Sequence, residues 1–133
     1  MNDKRYRRNT GSVFSLKCHL VWCPKYRPPV LVGDVVEDLR SLLYQKAEEL
    51  DADIEALEIH PEHVHLFFSS DPTESPQRLA NQFKGFTSRI LRQKHPHLHS
   101  RIPSLWSRSY YIGTMGHVSE ESVKRYIETQ KRS

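Results

Sequence analysis

Long apolar runs are missing from this chain. No stretch approaches the ~20 residues that a membrane-spanning helix needs. The opening MNDKRYRRN is charged and holds no apolar signal core. A cytoplasmic protein without membrane contact is therefore expected. Cysteine is scarce as well: Cys18 and Cys23 stand alone, in one expected strand. Five positions apart in a strand puts them on opposite faces and ~16 Å from each other, too far for a bridge. They read as reduced thiols. Internal repeats and low-complexity segments are absent, and no composition shift marks a domain boundary. One domain across all 133 residues, with room for one core, follows. Charge of one sign does not dominate either. The net charge of +4 and pI near 9.2 permit a nucleic-acid partner without requiring one. The distribution says more. Lys4, Arg5, Arg7 and Arg8 form a basic N-terminal arm over residues 1–12, and a second basic group sits in the central helix.

The periodicities that are present give an order of elements. Val13 to Cys23 alternates as a half-buried strand. Asp34 is placed to cap a helix with the stripe Val35, Leu39, Leu42, Leu43, Ala47 and Leu50. Asp53 to His60 and His63 to Ser69 read as two strands joined by the tight turn Pro61-Glu62 into a hairpin. Ser75-Pro76 opens a second helix, with apolar face Leu79, Phe83, Phe86 and Ile90, ending near His95-Pro96. Ser109 to Met115 reads as a fourth strand. Ser119 then caps a last helix over residues 117–131, with Glu120 and Glu121 in its first turn. The order β-α-β-β-α-β-α predicts an α+β fold: a ferredoxin-like, RRM-like four-stranded antiparallel sheet plus a C-terminal helix. Val64, Leu66 and Phe68 should face the helices. His63 and His65 should lie on the opposite, open face.

Two constellations carry chemistry. His63 and His65 are one residue apart in a strand, so they share a face ~6.6 Å apart along the chain. Two imidazoles so placed can ligate one metal ion. The alternative is a polar strand face that merely carries histidines. A zinc site would want further His or Cys ligands, and none stands out nearby. The amide oxygen of Gln130 offers a third donor, and such a set suits Mg²⁺ or Mn²⁺. Tyr126 shares a helical face with Gln130. A phenol beside a metal is equipment for attacking a phosphodiester; the plainer alternative is one more packing aromatic. Glu62 can reach the metal, orient a histidine or stay solvated. On the second helix Arg78, Gly85, Arg89 and Arg92 fall on one side, where Gly85 allows close backbone approach. That side is either a DNA footprint or a solvated charged face. The KHPHLHS tract, with His95, His97 and His99, looks like a second metal tract but reads rather as a mobile surface loop in reach of DNA. Trp106, Tyr110 and Tyr111 can stack on bases or fill the core.

These segments resemble the small single-tyrosine HUH transposases, the IS200-like family of single-strand insertion sequences. HLVWCPKYRPPVL resembles the first-strand signature, PEHVHLFF the His-hydrophobe-His strand, and KGFTSRILR the central helix. LWSRSYYIGTMG followed by VKRYIETQ resembles the C-terminal strand and tyrosine helix. The resemblance runs in order across nearly all of residues 13–131; Glu62 stands where members often have Asp. It implies Tyr126 as nucleophile and His63, His65 and Gln130 as metal ligands. It implies a homodimer in which the helix of one subunit serves the histidines of the other, acting on hairpin-bearing single-stranded DNA without ATP. The expected reaction is cleavage and strand transfer through a 5′-phosphotyrosine. Rival classes are a palindrome-associated or rolling-circle HUH nuclease, and a non-catalytic nucleic-acid-binding sheet of the same topology. The last would want an RNP-like aromatic strand, which HVHLFFSS does not supply.

Overall fold

The computed structural model describes residues 7–9, 12–14, 16–101, 104–114 and 126–129, with backbone alone for the first two segments and for residues 100 and 101. Residues Arg7–Asn9 (β1) and Ser12–Phe14 (β2) pair antiparallel as a small separate ladder. The main sheet holds Leu16–Trp22 (β3), Asp53–His60 (β4), His63–Ser70 (β5) and Tyr111–Thr114 (β6), in the order β4-β5-β3-β6. All its neighbours are antiparallel. Taken in chain order, this is the ferredoxin-like arrangement expected from the sequence.

One expectation is corrected by the strands. The first strand is not continuous from Val13; it divides between β2 and β3. The basic arm is partly a strand, because Arg7 and Arg8 lie in β1; Lys4 and Arg5 are outside the described residues.

Asp34–Glu49 (α1) and Pro76–Lys94 (α2) cover one face of the sheet. Asp34 is not the cap of α1. Gly33 is, with φ of +61°, a left-handed conformation that costs glycine little. Asp34 and Glu37 occupy the first turn, where the helix dipole favours acids. In α2 the expected cap is present: Ser75 Oγ accepts from the Arg78 N–H at 3.2 Å, with Pro76 leading the helix. The core sits between helices and sheet. Val64, Leu66 and Phe68 of β5 meet Leu39, Leu43, Leu79 and Phe83 there, all fully or almost fully buried.

The buried side of α2 is rotated from the expected one. Ala80, Lys84, Thr87 and Leu91 are buried, whereas Phe86 and Ile90 are only partly so. The His95 tract is not a loop: Pro96–Arg101 forms a short helix (α3), and His95 pairs with Asp38 of α1 at 2.7 Å. Trp106 packs in the core edge-on to Trp22 and donates its indole N–H to Thr87 Oγ1 at 3.0 Å. Cys18 and Cys23 are buried and free, and burial pushes their thiols up to about 11 and about 12. No helix among the described residues is long and apolar enough to cross a membrane.

Candidate functional site

The face of the sheet away from the helices gathers histidines. Antiparallel partners directly opposite each other share a face. His60 at the end of β4 stands opposite His63 at the start of β5, because the Pro61-Glu62 turn joins them. His65 follows on the same face by the strand period of two. Across the sheet, Val21 stands opposite His65 and His19 opposite Phe67. So His19 joins the same face as well.

Candidate ligand atoms of His60, His63 and His65 all lie within 4.8 Å of one another. The sequence reading missed His60: it found no third nitrogen ligand, although the hairpin turn it recognised places one. The rings of His60 and His63 stack at 4.3 Å. The face is less open than expected. His63 keeps only 13% of its side chain exposed, and His19 and Val21 are buried.

Hydrogen bonds orient the two strand histidines. His63 Nδ1 donates to Glu62 Oε1 at 3.1 Å, which leaves the Nε2 lone pair for an ion. His65 Nδ1 shares a hydrogen bond of 3.0 Å with His19 Nε2. Burial holds the His63 ring below the ordinary imidazole range, with the charge of His60 adding to the effect. Burial, then the neighbouring His63 and His19, pushes His65 down to about 4. Both are thus neutral at physiological pH, as metal ligation requires. Three clustered imidazoles, two of them braced by partners on their other nitrogen, fit a divalent ion.

Tyr126 lies in the helical turn 126–129 and is half-buried. Its hydroxyl donates to the Ser109 carbonyl at 2.9 Å rather than to a histidine. Burial raises the phenol well above its usual range, so it is held as the neutral acid. Gln130 lies outside the described residues.

Two cations unnoticed in the sequence grip this region. Lys84 is buried in α2, and its ammonium donates to the carbonyls of Ser107, Arg108 and Ser109 at 2.8, 3.1 and 3.3 Å. Desolvation pushes it down to about 8. Arg27 donates to the Ile127 carbonyl at 2.7 Å. Neither residue gave a signal in the sequence apart from lying in a signature segment.

The basic side of α2 is present in part. Gly85, Arg89 and Arg92 line an open hollow of about 400 Å³, together with Ser88, Gln93 and His99. A Cβ on Gly85 would meet nothing within 4 Å among the described residues, so none of them requires glycine there. Arg78 is exposed and paired with Glu74 at 2.7 Å.

Fold and site together define an α+β protein with a ferredoxin-like sheet, a histidine cluster suited to a metal and a tyrosine on a C-terminal helical turn. The sequence profile of the family "Transposase IS200 like" matches residues 12–130, and the chain belongs to that family. It is 32% identical over 126 residues to the ISDra2 transposase TnpA of Deinococcus radiodurans, covering 93% of this chain and 90% of that one. It is 26% identical over 132 residues to the transposase for insertion sequence element IS200 of Salmonella typhimurium, covering 98% of this chain and 85% of the relative. A crystal structure assigned as a transposase of Deinococcus radiodurans R1 superposes with a TM-score of 0.83 at 33% identity, over 93% of this chain and 97% of that one. A REP-associated tyrosine transposase bound to a REP hairpin shares the fold alone, with a TM-score of 0.57 at 13% identity over 92% of this chain and 67% of its own. The chain is thus a DNA transposase of a mobile element.

Proposed function

We propose that this transposase cleaves single-stranded DNA at hairpin-marked element ends and rejoins it, with Tyr126 as nucleophile. The observation that carries the reading is the His60, His63 and His65 cluster, braced by Glu62 and His19, in a chain whose C-terminal turn presents Tyr126. His63, His65 and His60 would hold a divalent cation, Mg²⁺ or Mn²⁺, with Gln130 completing the set. When bound, such an ion neutralises charge that develops on the scissile phosphate.

The protein's own groups do the rest. The Tyr126 oxygen attacks phosphorus, forming a 5′-phosphotyrosine and releasing a 3′-OH. Attack requires the phenol to leave the Ser109 carbonyl and lose its proton, since its present surroundings hold it neutral. The phosphotyrosine ester keeps the energy of the cleaved bond, so a 3′-OH from another strand can reverse the step without ATP. Arg89 and Arg92, beside the open hollow, supply charge for the DNA backbone, with Arg78, Lys4, Arg5, Arg7 and Arg8. The working unit is a homodimer in which the Tyr126 helix of one subunit serves the histidines of the other.

The test is a denaturing gel after incubation with hairpin-bearing single-stranded DNA and Mn²⁺. Wild type should give a covalent protein–DNA band. Tyr126→Phe should give none while still binding the hairpin, and His63→Ala should give none at low metal. Normal cleavage by Tyr126→Phe would overturn the assignment.

A further inference from the structure

We propose that Tyr26 is a stacking platform for one unpaired base of single-stranded DNA at the histidine end of the sheet. The inference deepens the reading of this chain as a single-strand transposase and rests on it.

Three large apolar side chains stand exposed among the described residues, and Tyr26 leads them at 54%. Exposure alone is ordinary. The backbone beneath this ring is not. The Arg27 N–H donates to the Pro24 carbonyl at 2.7 Å, which closes a β-turn with Tyr26 in its third place. Tyr26 has φ of +67°, and that place in such a turn is ordinarily taken by glycine or asparagine. A bulky residue is strained there, and a ring more than half exposed recovers little of that strain by packing. Strain held without a packing return is what a binding surface leaves behind.

The turn is fixed in place. Pro24 forms a bridge with Trp106, Lys25 N–H donates to the Leu105 carbonyl at 2.8 Å, and Ser107 N–H donates to the Cys23 carbonyl at 2.9 Å. Pro28-Pro29 stiffen the exit. An aromatic on a rigid turn gives contact area at little cost in entropy.

Its place relates it to the metal cluster. Trp22, the last residue of β3, stands opposite Val64, so the chain leaves the sheet at the level where His63 begins β5. The chain also returns there. Leu31 N–H donates at 3.0 Å to the carbonyl of Pro61, which lies in the turn between His60 and His63. Both ends of the loop 24–31 are thus held at the histidine end.

Charge selects the partner. The Lys25 ammonium lies 4.9 Å from the centre of the Tyr26 ring, and Arg27 follows it in the chain. A cation, an aromatic and a second cation in sequence offer charge to phosphates and a ring to the base between them. A strand that enters the metal site must unstack its bases. The Tyr26 ring replaces one lost contact. Every base has a π-face, so the stack adds affinity without reading sequence.

The experiment uses the full chain without added metal, as wild type, Tyr26→Asn and Tyr26→Phe. Asparagine suits the turn and removes the ring, so Tyr26→Asn should melt no lower than wild type. Affinity is measured by fluorescence anisotropy for an element-end hairpin, bare or with single-stranded flanks on both sides, and for flanks carrying one abasic site at each position in turn. Tyr26→Asn should bind the flanked hairpin about 10- to 100-fold more weakly than wild type, the range of one base–aromatic stack. Bare hairpin should bind equally, and Tyr26→Phe should match wild type on both. One abasic position should cost wild type the same factor and cost Tyr26→Asn nothing further. Equal affinity of Tyr26→Asn and wild type for the flanked hairpin overturns the proposal. So does an equal loss on the bare hairpin, or an abasic scan without effect. A changed oligomer mass of Tyr26→Asn in sedimentation also overturns it, because the ring then meets a partner chain. If the stack is present and wild type with Mn²⁺ forms no covalent adduct, the platform stands and the nucleophile reading falls.

Discussion

Replacing His60 by alanine should cost this protein its metal and little of its stability. His60 lies at the end of β4 with 46% of its side chain exposed, so its removal opens no cavity in the core. Its ion pair to Glu58 at 3.6 Å is on the surface. A stability change within about 0.5 kcal/mol is therefore expected. Metal affinity is another matter, since one of three clustered imidazole donors disappears. Losing a group that only supports a ligand already weakens binding by about 10- to 100-fold. Loss of a ligand itself should reach the upper end, about 100-fold or ~2.7 kcal/mol. Titration of the metal-free protein with Mn²⁺, followed by electron paramagnetic resonance of the free ion, measures this directly. His97→Ala, an exposed position on α3, is the control and should bind as wild type. If His60→Ala binds Mn²⁺ as tightly as the control, His60 is no ligand, and the donor set contracts to His63 and His65 with whatever Gln130 adds.

Three other outcomes are expected. The metal-free fold should lose stability as pH falls from about 6.5 to about 4. In that window the unfolded chain protonates His65 while the folded one, held down to about 4, does not; stability is complete above the window and drops by up to about 3 kcal/mol through it. His63 and His19, lowered for the same main reason, act in the same direction, and urea midpoints across this range check it. Neutralising Arg78, Arg89 and Arg92 together should weaken hairpin binding and flatten its salt dependence by roughly one unit of slope for each phosphate no longer neutralised; an unchanged slope returns them to a solvated face. Mixing differently tagged Tyr126→Phe and His63→Ala chains should restore cleavage in the mixed dimer, whereas mixed dimers without activity would show that each helix serves its own sheet.

Much of this architecture was legible because its signals are local. The strand period around Val64, Leu66 and Phe68, the Ser75-Pro76 helix start and the Pro61-Glu62 turn each depend on a few neighbouring residues, and each is found where expected. The pairing of His63 with His65 is legible for the same reason. His60 was within reach, since a tight hairpin turn puts its flanking residues opposite one another; the register simply has to be carried across the turn. His19 was harder. Its role depends on β3 lying beside β5, a neighbour relation set by the whole sheet and not by either strand alone. Arg27 and Lys84 were out of reach altogether, because their partners are carbonyls, and main-chain acceptors leave no mark in a sequence. The α2 face was misjudged where Lys84 breaks the apolar pattern: the chain buries a cation beside Phe83 and leaves Phe86 half-covered, with the Lys46 ammonium 4.6 Å from its ring.

The central claim is that the Tyr126 oxygen becomes covalently joined to DNA. Wild-type protein should be incubated with Mn²⁺ and hairpin-bearing single-stranded DNA, the adduct digested with nuclease and protease, and the peptides sequenced by mass spectrometry. The peptide containing Tyr126 should carry a 5′-linked nucleotide, and the matching DNA fragment should end in a free 3′-OH. A nucleotide on any other tyrosine, or cleavage that leaves every tyrosine unmodified, contradicts the account.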